Sequence, residues 1–213
     1  MSNPRGEATV SEQALRAKTG KTWAEWFAML DGWGAPEKGH KQTARYLAES
    51  WGVSAWWAQS ITVRYERERG LRAFGQRSEG TFTVSVQRTM RATSEQVFDA
   101  LTRPDVISRW FTRSAQADLR VGGRYANADG DQGEFLIFDR PRRLRFTWDN
   151  PEHSPNTLVE VVLTEKPGGR VTLRLEHSRI QTQAYFQDMK EGWTWAMDSL
   201  KSYLETGEPL PHP

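Results

Sequence analysis

The stretch TQAYFQDMKEGWTWAMDSLKSYLE, residues 182–205, decides the fold of the second part of this chain. Its large apolar residues recur every three or four positions, so they share one face of an amphipathic helix. They are Phe186, Met189, Trp193, Met197, Leu200 and Leu204. Gly207 and Pro209 follow and end the helix. The sequence therefore predicts one long C-terminal helix that buries its apolar face against another element.

Short runs of alternating apolar and polar residues precede this helix and supply that other element. Residues 82–86 begin the series, and two later runs, 158–163 and 171–177, are joined by a Pro-Gly-Gly turn. Thr93 and Gln96 have the spacing of a capping box, which starts a short helix between strands. Strands followed by one long helix favour an α+β fold: a curved antiparallel sheet grips the C-terminal helix and leaves a cavity beside it.

The same region resembles a known family in six separated motifs that occur in the family's order. They are ATSEQVFDAL (92–101), RWF (109–111), DLRVGGRY (118–125), GEF (133–135), PRRLRFTW (141–148) and GW (192–193). The family is the activator-of-heat-shock-protein-90-ATPase-homologue-like domain, a member of the START-like helix-grip (SRPBCC) superfamily. The resemblance covers roughly residues 81–206. It implies a helix-grip fold with a hydrophobic ligand cavity, whereas a shared fold does not fix an activity.

The first part of the chain has a different composition. Six of the ten tryptophans lie between residues 23 and 57, and no strand pattern is present there. Thr22 and Glu25 form a second capping box, and Gly70 closes the last of three predicted helices. The sequence therefore predicts a small all-α three-helix domain with a mainly tryptophan core.

Three motifs in this first part resemble an uncharacterised helical domain of bacterial proteins, which occurs alone or fused to a START-like domain. They are GKTWAEW (20–26), WWAQ (56–59) and YERERG (65–70). No activity comes with that resemblance. The predicted organisation is a mobile tail over 1–18, the Trp-rich helical domain over 19–79, the helix-grip domain over 80–208 and a short tail over 209–213.

Composition sets modest bounds on function. The chain has 213 residues and a net charge of +2, from 29 basic and 27 acidic side chains, so a nucleic-acid partner is not expected. The absence of cysteine excludes disulfides and thiolate metal sites. No signal peptide or apolar run of membrane-spanning length is visible, so we expect a cytoplasmic protein without membrane insertion. We expect no cofactor.

Two short motifs suggest ligands but lack essential positions. Gly20-Lys21-Thr22 matches the end of a phosphate-binding loop, but Leu15 stands where that loop needs glycine. Asn127, Asp129 and Asp131 match the first ligands of a calcium loop, but Gln132 replaces its glycine and Phe138 its glutamate. A hairpin turn explains the Asp-Gly pair better. We therefore expect no metal site.

Aromatic residues of the helix-grip domain are the main functional candidates. For any single ring, ordinary core packing is the competing interpretation, but together the rings exceed what a small sheet needs. His177 ends a strand beside Glu176 and can also face the cavity. The candidate cavity residues are Trp110, Phe111, Tyr125, Phe135, Trp148, His177 and Trp193.

The leading hypothesis is a START-like binding module for a small, largely apolar molecule, with the helical domain regulating access or recruiting a protein partner. A co-chaperone-type interaction module is an alternative implied by the family resemblance alone. A second alternative is an enzyme of the aromatase/cyclase or hydrolase kind, with Tyr125, Glu134 and His177 as its candidate polar groups. No catalytic motif is present, which favours a non-enzymatic role. The sequence carries no indication of the oligomeric state.

Overall fold

The computed structural model describes residues 10–73, 76–77, 80–152 and 154–212. Within it the chain divides into two units, Met1–Ser78 and Glu79–Pro213. The first unit is helical, and its helices are α1 (Glu12–Thr19), α2 (Trp23–Trp33), α3 (Ala35–Trp51) and α4 (Ala55–Glu68). The capping box at the start of α2 is confirmed, because Thr22 accepts from the backbone of Glu25 and the Glu25 side chain accepts from the backbone of Thr22.

The predicted mobile tail is wrong for residues 12–18, which form most of helix α1. Ser11 caps this helix by accepting a hydrogen bond from the backbone N–H of Ala14. Leu15 is wholly buried in the core of the first unit, and that burial stabilises a helix too short to form by itself. Residues 1–9 of the predicted tail lie outside the described residues.

The core of the first unit is less rich in tryptophan than the sequence predicts. Trp23 and Trp26 are buried, but Trp51 and Trp56 are 46% and 60% exposed. Aliphatic side chains take the remaining central positions, and the fully buried ones are Leu15, Leu30, Leu47 and Ile61. An amphipathic helix has room for few large rings on its buried face, so the other indoles remain near the surface.

The second unit has the predicted α+β helix-grip fold. Its elements are β1 (Phe82–Met90), α5 (Ser94–Thr102), α6 (Pro104–Ile107), β2 (Ala115–Ala117), β3 (Arg124–Asn127), β4 (Gln132–Asp139), β5 (Arg143–Asn150), β6 (Ser154–Lys166), β7 (Arg170–Ile180) and α7 (Gln183–Thr206). The seven strands form one curved antiparallel sheet in the order β1-β7-β6-β5-β4-β3-β2. The second capping box is confirmed at the start of α5.

Helix α7 is bound to the sheet by an apolar face and by an ion pair. Phe186, Trp193 and Met197 are buried, and each such side chain contributes roughly 1.5–3 kcal/mol by leaving water. Beside them, the Arg88 guanidinium of β1 donates two hydrogen bonds to the Asp198 carboxylate, with N–O distances of 2.6 and 3.0 Å. These contacts set the height of α7 above the sheet, which positions one wall of the cavity described below.

Backbone packing between β4 and β5 gives a first prediction. A Cβ at Gly133 would overlap the backbone carbonyl of Thr147 and lie 2.7 Å from the Tyr125 ring. Gly133→Ala should therefore lower the free energy of unfolding by about 2 kcal/mol or more, because backbone cannot yield as a side chain does. Gly192→Ala on α7 is the matched control, since no atom lies within 4 Å of its added Cβ. It should raise stability by up to about 1 kcal/mol. Urea unfolding of both variants checks this, and equal effects would contradict the packing described.

Candidate functional site

A cavity of about 70 Å³ lies in the second unit, between the sheet, the segment that follows α5, and helix α7. Seven aromatic residues line it: Trp110, Phe111, Tyr125, Phe135, Phe146, Trp148 and Trp193. Six of them are among the seven candidates from the sequence. The segment after α5 contributes Trp110 and Phe111, strands β3, β4 and β5 contribute the next four, and α7 contributes Trp193. The structure therefore brings six of the seven predicted residues to one cavity.

Phe146 is the aromatic residue of the described cavity wall that the sequence analysis missed as a candidate. It lies on β5 between Leu144 and Trp148, and all three line the cavity. Residues two apart on a strand share a face. Once Trp148 is a candidate, that spacing therefore identifies Phe146 as well.

The rings of the cavity wall contact one another in defined geometries. Phe111 stacks on Trp193 with centroids 6.1 Å apart and an interplanar angle of 8°. Trp148 meets the same Trp193 ring nearly edge-on, at 5.2 Å. Tyr125 and Phe146 form an edge-to-face pair at 5.5 Å. Such pairs add about 0.5–1.5 kcal/mol each beyond area burial, so the wall is a cohesive aromatic surface.

Polar groups at the cavity are few and mostly engaged within the protein. The Tyr125 hydroxyl donates to the Thr147 carbonyl at 2.9 Å, and burial raises the pKa of this phenol, which stays protonated. Trp110 donates its indole N–H to the Ala100 carbonyl at 2.8 Å. Trp148 Nε1 has no hydrogen-bond partner among the described residues. No aspartate, glutamate, lysine, arginine or histidine is among the described residues that line the cavity.

His177 does not line the cavity but lies behind its wall. The ring is wholly buried, and its Nδ1 accepts a hydrogen bond from Trp193 Nε1 at 2.9 Å. A neutral ring that accepts at Nδ1 carries its proton on Nε2, which lies 2.6 Å from Thr157 Oγ1. Thr157 in turn donates to the carbonyl of Trp148 at 2.9 Å. His177 therefore supports two residues of the cavity wall, and in this position burial lowers its pKa to about 3.

The three candidate catalytic residues do not meet in the cavity. Tyr125 lines it, and Tyr125 and Glu134 both line a neighbouring groove with Arg124 and Gln132. His177 has both ring nitrogens engaged by Trp193 and Thr157. The arrangement provides an apolar container rather than converging acid and base groups.

The segment that resembles a calcium loop forms a turn. Asn127 Oδ1 accepts hydrogen bonds from the backbone N–H groups of Asp129 and Asp131, at 2.9 and 3.1 Å. Across the described ranges, no group of three or more His, Cys, Asp or Glu residues has a metal-binding arrangement. Within the same ranges no helix combines the length and apolar character needed to cross a membrane.

Comparison with known proteins identifies a matching family and similar solved structures. The family model described as "Activator of Hsp90 ATPase homolog 1-like protein" matches residues 91–205. No curated protein matches the chain. Among solved structures, the chain is similar to CalU16 from Micromonospora echinospora, with 31% identity over 62% of this chain and 78% of that one, at a TM-score of 0.54.

Two further solved structures resemble the chain. DynU16, a protein in the dynemicin biosynthetic locus, is 28% identical over 60% of this chain and 48% of its own, with a TM-score of 0.52. Aha1 from Colwellia psychrerythraea, solved as a dimer, is 21% identical over 59% of this chain and 97% of its own, with a TM-score of 0.53. At that identity the resemblance to Aha1 shows the fold alone.

The buried histidine gives a prediction about pH. The folded-state pKa of His177 is about 3, below the value of about 6.5 for an unfolded histidine. As the pH falls below about 6.5, the unfolded chain therefore binds a proton that the folded chain does not, and stability is lost at up to about 1.4 kcal/mol per pH unit. His177→Gln removes this titration while its amide still donates and accepts hydrogen bonds.

Urea unfolding between about pH 6.5 and about pH 4.5 checks the prediction, because most carboxylates titrate below this window. The free energy of unfolding of the wild type should decline with falling pH more steeply than that of His177→Gln. Parallel curves for the two proteins would contradict a neutral, desolvated His177.

Proposed function

Because the chain belongs, through residues 91–205, to the family of activator of Hsp90 ATPase homolog 1-like proteins, we propose that its second unit binds a small, largely apolar ligand. The proposed site is the cavity between the curved sheet and α7. The observation that carries the proposal is the composition of the cavity wall, in which the described residues bring seven aromatic rings and no ionisable group other than Tyr125 to one space. An apolar molecule that enters this space leaves water and gains ring contacts at the same time.

The size of the cavity limits the ligand that enters without rearrangement. Its volume of about 70 Å³ is well below the roughly 300–1,000 Å³ of pockets that hold drug-sized molecules. A dry apolar cavity that binds benzene measures roughly 150 Å³, so even a single aromatic ring requires a side chain to move here. Phe111 is suited to do so, since it is only half-buried and lies in the segment between α6 and β2. The proposal therefore includes a small aromatic core as the part of the ligand that enters first.

One of the similar proteins is associated with small-molecule biosynthesis. DynU16 belongs to the dynemicin biosynthetic locus, which agrees with a small-molecule ligand for this fold. Catalysis is not proposed, because Tyr125 is engaged by Thr147 and held protonated, and Glu134 and His177 lie outside the cavity. A chaperone-directed role rests on the family name alone. It is therefore not proposed, and the experiment below includes it as an alternative result.

For the first unit we propose an accessory role in partner binding or regulation. Its exposed Trp51 and Trp56 are large apolar side chains left in contact with solvent. Such residues are enriched at protein interfaces. This part of the proposal is independent of the ligand cavity.

The test of ligand binding uses two neighbouring residues on β6 that face opposite sides of the sheet. Val161 lines the cavity, whereas Val162 is 37% exposed in a groove on the other face. Val161→Phe should fill much of the cavity and weaken binding of toluene at least tenfold, while Val162→Phe should bind like the wild type. Toluene binding is measured by NMR titration, with melting temperature as the check that both variants fold.

The same proteins, freshly purified, are then compared by native and denaturing mass spectrometry. A mass excess that is lost on denaturation, present in the wild type and Val162→Phe but absent in Val161→Phe, identifies the natural ligand by its mass. No toluene binding by the wild type, or equal binding by Val161→Phe, would overturn the proposed function. If ligand binding fails in this way and the protein changes the ATPase rate of Hsp90, the chaperone-directed role is favoured.

A further inference from the structure

Three indole rings line the cavity, and one of them has an unused hydrogen-bond donor. Trp110 Nε1 donates to the Ala100 carbonyl, and Trp193 Nε1 donates to His177 Nδ1. Trp148 is only 7% exposed, and its Nε1 is buried with no partner among the described residues. Since an indole N–H is a donor and nothing else, it needs an acceptor.

The aromatic rings that contact Trp148 offer its indole N–H no free acceptor. Its ring neighbours are Phe111, Phe146, His177 and Trp193. The imidazole is the one side chain among them with an acceptor nitrogen, and that nitrogen is taken by Trp193. Buried donors without partners are rare in proteins, and each calls for an explanation. Trp148 lines the cavity as well as the groove with Arg124 and Gln132, and a ligand in the cavity would bring such an acceptor to it.

The rest of the cavity wall restricts the charge of such a ligand. Tyr125 donates to the Thr147 carbonyl and stays protonated, so it provides no counter-charge. No side chain with a formal charge is among the described residues that line the cavity. An ionised group in this space would lose its hydration without a partner, which is strongly unfavourable. The ligand is therefore uncharged where it enters.

We propose that Trp148 is the polar anchor of the cavity, and that its Nε1–H donates a hydrogen bond to a carbonyl or ether oxygen of an uncharged, planar ligand. The rings of Phe111, Phe146 and Trp193 then contact the apolar faces of the ligand. This inference rests on the proposed function and adds to it the chemical class of the ligand: a neutral aromatic ketone, quinone or ether rather than a plain hydrocarbon, an acid or an amine.

The test uses a pair of probes with the same shape, acetophenone and α-methylstyrene, which differ in C=O against C=CH₂. Water solvates the ketone better than the alkene, which by itself weakens binding of acetophenone. For each protein we therefore take the ratio of the dissociation constant of acetophenone to that of α-methylstyrene. The solvation of the free probes is the same for wild type and variant, so it cancels when their ratios are compared. Replacing the indole in Trp148→Phe keeps an aromatic ring and removes the donor. In this variant the dissociation constant of acetophenone should rise about tenfold relative to that of α-methylstyrene, which is the effect of one lost hydrogen bond.

Trp195→Phe is the matched control, because it also replaces an indole of this unit, but at a residue that does not line the cavity and whose N–H is donated to the Pro211 carbonyl. It should leave the ratio of dissociation constants unchanged. Proton–nitrogen NMR of the wild type gives a second measurement that needs no variant. One indole N–H signal should move downfield on addition of acetophenone and none on addition of α-methylstyrene, and that signal should be missing from the spectrum of Trp148→Phe.

The outcomes separate this inference from the proposed function. If both probes bind, the ratio is the same in Trp148→Phe and no indole signal responds to the ketone, Trp148 is not the anchor and the cavity remains a hydrophobic binding site. If neither probe binds the wild type, the proposed function fails and the anchor with it. A ratio shift confined to Trp148→Phe supports the inference.

Discussion

Helix α7 is connected to the sheet through a histidine that has no contact with water. His177 on β7 accepts from Trp193 on α7 and faces Thr157 on β6, so both of its ring nitrogens are engaged. Burial keeps the ring neutral. With one proton on the ring, a single pattern satisfies all the groups: the indole donates to Nδ1, Nε2–H donates to Thr157, and Thr157 donates to the carbonyl of Trp148. Two walls of the cavity are thereby fixed together.

This connection explains why an aromatic core leaves a space. Trp193 cannot turn inward to fill the cavity without losing its acceptor, and the β5 backbone at Trp148 is held by Thr157. On the other side, the hydroxyl of Tyr125 is anchored to Thr147. Rings that are anchored at their polar ends cannot collapse freely onto one another. The cavity is thus a consequence of hydrogen bonds behind the wall, and its binding capacity follows from the apolar ring faces in front.

The sequence predicts the architecture well because the signals are local. Capping boxes and the apolar face of residues 182–205 depend on spacings of three or four residues. The role of His177 was not predictable in this way, since its partners are 16 and 20 residues distant along the chain. Helix α1 was missed because a helix of eight residues has a weak pattern, and its stability comes from the burial of Leu15. Alternation placed Phe146 and Trp148 on one face without identifying the face that borders the cavity.

The central claim is that an apolar space exists between the sheet and α7. Xenon binds in dry apolar cavities and needs no polar partner, so a crystal of the protein pressurised with xenon tests the claim most directly. The account predicts xenon density among Trp110, Phe135, Trp148 and Trp193, with the hydrogen bond from Trp193 to His177 intact. Crystals that diffract well under xenon but show the rings closed on one another and no density there would contradict it.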